Sequence, residues 1–265
     1  MLSKDKIEDF YKYLDLKRKI IGVKFIHSEE EYNNIPTKEL DIMASYCYMV
    51  KLASENNSFK ACNKNFKCNS SAMALGIRST SERVTSGQQY FSYKTYDSIS
   101  RAKAVQREIT YIEHKIYGVL MMPLEKFDIC PDVFIIISNN YQAMRIVQSY
   151  TYHNGMANNI KLCGNQGVCS ELTARPYENN DMNLSMLCSN TRFSCQWDDS
   201  EMGIGMPFNM FDSIYDGLIH TINPMELDKK KEKIVEKMNS INNKLDIQIG
   251  KNYFNSSVGY IELNK

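Results

Sequence analysis

The strongest constraint on the fold is a pattern that the chain spells twice. Residues 47–68 read CYMVKLASENNSFKACNKNFKC, and residues 169–195 read CSELTARPYENNDMNLSMLCSNTRFSC. Each copy runs cysteine, a segment able to form a helix, Glu-Asn-Asn, a segment able to form a strand, cysteine, a spacer and a last cysteine. The steps are alike: eight, seven and six residues lead from Cys47 through Glu55 and Cys62 to Cys68, and nine, ten and seven from Cys169 through Glu178 and Cys188 to Cys195. Two copies of one supersecondary unit, packed about an approximate two-fold axis, would bring distant thiols together. Asparagine is abundant in this sequence, so a shared Glu-Asn-Asn is also available by chance.

Hydrophobic spacing around these segments predicts a mixed α/β (α+β) unit. Ile7, Phe10, Tyr11 and Leu14 recur at helical intervals, which predicts an amphipathic helix over residues 4–16 capped by Ser3. Strands are expected at Ile20–Ile26, Phe59–Cys62, Tyr117–Met122, Val133–Ser138, Leu184–Cys188 and Met202–Met206, where β-branched and apolar residues run without helical spacing. Helices are expected at Met43–Ala53, at NSSAMALGI after Cys68, at Tyr96–Glu108, and after Ser138 or Asn139 up to Gly155. That last strand-to-helix corner is where α/β proteins often seat ligands. Residues 78–90, rich in Ser, Thr and Gly, read as an exposed loop, either a connector or a lid over a substrate. The polar stretch SNTRFSCQWDD reads as a turn. Past Pro207 the pattern gives one more helix, then a charged amphipathic helix over residues 226–245 and two short strands at Ile247–Ile249 and Val258–Leu263. Residues 1–225 form the expected main unit, and 226–265 an appendage packed on it.

Composition removes several functions. A formal net charge of +1 with intermixed signs gives no footprint for nucleic acid and no polybasic face for a membrane. The amino terminus lacks an apolar core of signal-peptide length, and no apolar run approaches a membrane span, which points to the cytoplasm. In that reducing compartment eight cysteines are not expected to form a disulfide framework. No phosphate-cradling GxxxxGK[ST] or GxGxxG loop occurs, Gly203-Ile-Gly205 being too short to count, and neither HExxH nor GxSxG is present. His27, His114, His153 and His220 are scattered.

Thiols therefore carry the remaining chemistry. Without CxxC, a zinc ribbon or a thioredoxin-like pair is disfavoured. An iron–sulfur cluster asks less of the sequence, since each thiolate need only reach one iron and the ligands can come from separate segments. Cys169, placed after Gly-Asn-Gln-Gly at the start of a helix, is expected to have its thiolate favoured by the helix dipole, and Cys47 stands in a similar place. Free cysteine also packs as a small hydrophobe, so burial alone is the competing account.

The order of several segments adds a resemblance. IGVKF, a Cys-led helix, C-x7-G ending in ALG, PLEKF followed by PDVFIII and NNYQAMRIVQ, then G-x-C-x-E, a Cys188–Arg192 turn and GIGMPF together resemble the DUF169 family of bacterial and archaeal proteins, whose function is uncharacterised. The similarity spans roughly residues 15–220. It implies Cys47, Cys68, Cys169 and Cys188 as the site, with Arg192 beside the last. The family's C-x-G-x-R turn carries a glycine where this chain has Asn190, a residue that tolerates the left-handed conformation. Cys62, Cys130, Cys163 and Cys195 receive no role from the resemblance.

The resulting expectation is a 4Fe–4S-type iron–sulfur cluster held by Cys47, Cys68, Cys169 and Cys188 between the two halves. Arg192, Asn165 and Gln166 would tune its charge or hold an anionic substrate. Its partners would be a small-molecule substrate or a redox partner, with oligomeric state left open. Two other readings use the same pocket: a non-catalytic protein that carries a metal or cofactor, and a cofactor-free enzyme with one activated cysteine.

Overall fold

The computed structural model describes residues 3–221, nearly all within one compact unit, Met1–Leu218; a second unit begins at Ile219. The expected helix over 226–245 and the strands at 247–249 and 258–263 lie outside the described residues. Among the described residues no helix is long and apolar enough to cross a membrane.

Six strands form the expected mixed α/β framework: β1 (Ile21–Ile26), β2 (Phe59–Cys62), β3 (Gly118–Pro123), β4 (Val133–Ser138), β5 (Asn183–Ser185) and β6 (Met202–Pro207). They make one sheet in the order β2-β3-β1-β4-β6-β5, and every neighbouring pair is antiparallel. β3, β4 and β6 are buried along their whole length, which is why their sequences read as unbroken apolar runs rather than alternating ones. The corner between β4 and the helix after it therefore does not belong to a parallel sheet, the kind in which such corners seat ligands, although a pocket of about 340 Å³ lined by Ser138, Asn139 and Gln142 opens there.

The sheet separates two cores. On one face Phe134, Ile136, Ile204 and Met206 pack with α1 (Lys4–Leu14), through Ile7, Phe10 and Leu14. On the other face Val23, Phe25, Val119, Met121 and Ile135 pack with the residues that carry the cysteines. There, α2 (Glu29–Asn34) leads to α3 (Tyr46–Ser54), and Cys68 caps α4 (Asn69–Ala74). The segment read as an exposed loop is instead folded into α5 (Glu82–Thr85) and α6 (Gln88–Ser92), fixed by buried Tyr90 and by Gln89 donating to Ser70 Oγ at 2.8 Å. It runs on to α7 (Ile99–Glu108).

Past β4, Asn139 caps α8 (Asn140–Asn154), and the Asn139 and Gln142 side chains each bond the other's backbone NH. α8 ends at Gly155, whose φ of 70° suits glycine. A π-helix, Gly167–Ala174, then runs directly into α9 (Arg175–Asn179). The stretch read as a polar turn is α10 (Ser189–Cys195), which buries Thr191 and Cys195 one turn apart. α11 (Phe211–His220) follows β6 on the α1 face.

Strand order is palindromic about the β1–β4 pair. Each half runs from a central strand through a Cys-bearing helix, a Glu-Asn-Asn turn with one left-handed Asn (Asn56, φ 77°; Asn180, φ 48°), and an edge strand to a Cys-capped helix and the intervening strand. In this correspondence Cys47 on α3 matches Cys169 on the π-helix. Cys68, the cap of α4, matches Cys188, the cap of α10. The sequence spacing had aligned Cys62 with Cys188 and Cys68 with Cys195; the topology moves that register by one cysteine.

Candidate functional site

Cys169 can sit close against the sheet because β6 offers no side chain beneath its helix. The π-helix packs on β6 at Gly203 and Gly205, where a Cβ would stand 2.2 Å from Leu172 Cδ1 and 2.0 Å from the Leu172 carbonyl oxygen. The Gly-x-Gly that resembled a fragment of a phosphate loop is thus a flat seat for a helix. Gly167 starts that helix under the same restriction, since a Cβ there would meet the backbone of Leu187 at 2.9 Å. π-helical turns are rare and often found at functional sites.

Three contacts gather the thiols from four elements. The π-helix touches both α3 and α4, and α10 touches α3. Cys47 consequently lies within hydrogen-bonding reach of both Cys188 and Cys195. Cys169 lies near enough to Cys47, Cys68 and Cys188 to feel their charge. Polar groups also reach the sulfurs. Asn190 Nδ2 donates to Cys47 Sγ at 3.5 Å, Thr191 Oγ1 lies 3.1 Å from Cys188 Sγ, and Ser45 Oγ lies 3.3 Å from Cys195 Sγ. All eight cysteines are free, and Cys47, Cys169 and Cys195 also belong to the hydrophobic core of this face.

Electrostatics grade the thiols. Burial first, then the charges of Cys47, Cys68 and Cys188, push the Cys169 thiol well above the usual range. The helix-dipole expectation for Cys169 is overturned, because its position in the first turn is outweighed by desolvation at 4% exposure. The Cys188 thiol is raised by its bond with Cys47 and then by burial. For Cys47 the bond with Cys188 favours the thiolate, but the bond with Cys195 and burial together outweigh it, and its pKa rises. Cys195 goes the other way: the bond from Cys47, aided by Ser45 and Lys51, lowers it to about 7 against burial. Of the three neighbouring thiols, Cys195 is the one whose ionisation is shifted down toward neutral pH. Sequence spacing marks Cys195 as the last cysteine of the second copy but gives it no lowered pKa; its neighbours Cys47 and Ser45 across the fold do.

The remaining expected residues are engaged as follows. Arg192 donates to the backbone carbonyls of Met186 (3.0 Å), Glu201 (2.6 Å) and Asp198, so it ties α10 to the segments on either side of it. Asn190 has no positive φ; the left-handed residue of this turn is Leu187, φ 67°. Gln166, buried and itself left-handed at φ 52°, donates to the Tyr90 and Tyr111 hydroxyls at 2.7 and 2.8 Å. Both tyrosines are near enough to Cys169 to feel its charge, which places Gln166 on the Cys169 side. Asn165 donates to Tyr96 Oη at 2.8 Å. Cys62 stays on edge strand β2 with its NH held by Asn65, Cys130 is exposed between β3 and β4, and exposed Cys163 bonds the carbonyl of Asn165. Among the described residues no three His, Cys, Asp or Glu side chains are grouped so as to hold a single metal ion.

Comparison with known proteins agrees with the segment order noted in the sequence. An uncharacterised protein of Methanocaldococcus jannaschii is 26% identical over 209 residues, covering 77% of this chain and 88% of the relative. No solved structure matches. The model of a family described as DUF169, uncharacterised ArCR, matches residues 9–217, which include Cys47, Cys188 and Cys195 and the elements that carry them. The chain belongs to the DUF169 family.

Proposed function

We propose that Cys47, Cys68, Cys169 and Cys188 hold a 4Fe–4S-type cluster and that the protein applies it to redox or sulfur chemistry on a small molecule. The observation that carries this reading is the convergence of thiols from α3, α4, the π-helix and the cap of α10. A single metal ion would need several ligands on one point, whereas a cluster needs one sulfur at each corner. Four soft thiols, two buried and two half-buried, with no acidic or imidazole ligand among them suit iron–sulfur ligation. The topology supports the same reading. We infer that the two halves are copies of one unit, in which case the four ligands are two equivalent pairs, Cys47 with Cys169 and Cys68 with Cys188.

When bound and ligated at all four corners, such a cluster would supply one-electron transfer. The chain does the rest. Asn190, Thr191 and backbone amides near the sulfurs lower their charge density and thereby set the potential. Buried Tyr46 and Tyr90 and half-buried Tyr111 stand near Cys169 and limit access of water to it. Cys195 adds a fifth sulfur, ionisable near neutral pH, beside Cys47.

The test is iron and acid-labile sulfide in the full chain purified without air. Roughly four of each per chain are expected. Cys47→Ser, Cys68→Ser, Cys169→Ser and Cys188→Ser should each lower them, while Cys62→Ser and Cys130→Ser should not. Protein without iron or sulfide refutes the reading. The lowered pKa of Cys195 favours one other reading, a cofactor-free thiol enzyme, in which Cys195→Ala abolishes turnover and Cys68→Ala is tolerated. A carrier of metal or cofactor would show metal content and transfer to an acceptor, with no turnover.

A further inference from the structure

We propose that the cavity between α7 and the π-helix binds an organic carboxylate with an apolar body, its carboxylate on Arg175 and Arg101. As the substrate of the thiol site it rests on the reading above; as a binding site it stands without it. The cavity encloses about 580 Å³, within the range of roughly 300–1,000 Å³ common for small-molecule sites. Ala104, Val105, Ile109, Ile160 and Leu162 give it apolar walls. Ser170 and Glu171 of the π-helix close it, the residues that directly follow Cys169 in the chain.

The cations decide the ligand. Arg175 lines the cavity at 8% exposure. Its Nη2 donates to the Asn159 carbonyl at 2.5 Å and its Nη1 only weakly to Thr110 Oγ1 at 3.5 Å. Asp181 and Glu108 favour its charge across space, yet among the described residues no carboxylate pairs with it. A guanidinium withdrawn from water without an anion is costly, and an incoming oxyanion removes that cost. Arg101, exposed on α7 at the same cavity, also lacks an ion pair among the described residues.

The other charges near the cavity are already committed. Lys161 and Glu108 pair with each other. Glu171 Oε1 accepts from the backbone NH of Cys163 (2.6 Å) and Gly164 (3.2 Å), and its Oε2 accepts from Ser185 Oγ. One buried guanidinium above apolar walls matches a single negative charge on a hydrocarbon body.

The experiment is calorimetric titration of the full chain with octanoate, 1-octanol, acetate and octyl phosphate, with and without bound iron. Octanoate is expected to bind at least tenfold more tightly than octanol, which lacks the charge, and than acetate, which lacks the body. Arg175→Gln and Arg101→Gln should each weaken octanoate by about tenfold, the usual effect of losing a hydrogen bond to a charged group. If Arg175→Gln does not fold, exposed Arg101→Gln and the cavity-filling Val105→Trp carry the test. Octanol binding as well as octanoate, octyl phosphate binding more than tenfold better, or octanoate unaffected by Arg101→Gln and Val105→Trp would each overturn the proposal. Iron without octanoate binding removes the cavity alone; octanoate binding without iron removes the cluster alone.

Discussion

Replacing Gly205 by alanine tests the seat on which the cysteine site rests. Gly205 lies mid-strand in β6, paired with Ile135 and Asn183. A Cβ there would stand 2.0, 2.6 and 2.8 Å from the carbonyl oxygen, carbonyl carbon and Cα of Leu172, all backbone atoms of a π-helix buried along its length. Contact must widen by at least about 1 Å, and no rotamer can absorb it. Overpacking usually costs about 1–3 kcal/mol, and a backbone obstacle puts Gly205→Ala near the top, at about 3 kcal/mol. At roughly 2–4 °C per kcal/mol for a chain of this size, the melting temperature should fall by about 6–12 °C. Gly203→Ala is the control on the same strand, since its nearest obstacle is the Leu172 side chain at 2.2 Å. Leu172→Ala removes that side chain but leaves the carbonyl in place. Melts followed by circular dichroism over both double-mutant cycles should therefore show favourable coupling between Leu172→Ala and Gly203→Ala, and almost none with Gly205→Ala. Gly205→Ala melting within about 2 °C of the parent, or equal rescue of both glycine variants, would refute the close seating of the π-helix.

Three further outcomes follow from the same contacts. Ultraviolet thiolate absorbance of metal-free protein should titrate with a midpoint near pH 7 that Cys195→Ser removes, while native Cys169 stays a thiol over that range; Cys47→Ala should move the Cys195 midpoint up toward ordinary thiols. Burial raises the folded-state pKa of Glu171, so its proton contributes stability that is full below the unfolded carboxyl pKa and lost as pH rises through the folded one. Melting temperatures across pH should show Glu171→Gln gaining on the parent over that rise, and a constant difference would refute the assignment. Arg18 stacks 4.9 Å above the ring of Trp197, the sole tryptophan, and pairs with Glu201. Arg18→Ala should cost about 2 kcal/mol and shift tryptophan emission to the red.

Strands β1 to β4 were legible because their residues are mostly buried and β-branched or large, as in Val133–Ser138; β6 was found despite Gly203 and Gly205, and β5, expected at Leu184–Cys188, is only Asn183–Ser185. Their pairing was not legible: an antiparallel and a parallel sheet buried on both faces read alike, so the corner after Ser138 suggested a crevice of the wrong kind. α10 was hidden because a seven-residue helix with only Thr191 and Cys195 buried leaves too little pattern to distinguish from a turn. The Glu-Asn-Asn signal led to the right helices and edge strands, since both turns do use a left-handed Asn. Sequence spacing and element order pair the cysteines differently, because Cys68 and Cys188, which start α4 and α10, are separated from those turns by different lengths of chain. The lowered pKa of Cys195 lay beyond reach, being set chiefly by Cys47 and Ser45, far away in sequence.

The contacts among the cysteine-bearing helices explain why thiols from both halves meet. Exchanging the halves turns α3 into the π-helix and α4 into α10. The contact between α3 and α10 then becomes the contact between the π-helix and α4, and both occur; the contact between α3 and the π-helix maps onto itself. Each capping cysteine is thus presented to the helix of the opposite half rather than to its own. The halves differ chiefly in what joins the capped helix to the next strand. In the second half residues 196–201 suffice, whereas in the first residues 75–117 intervene and fold into α5, α6 and α7. The carboxylate cavity lies under α7 and so occurs on only one side of the pseudo-axis. On the inferred duplication, the repeated unit accounts for the paired thiols, and the insertion that breaks the repeat accounts for the site beside them.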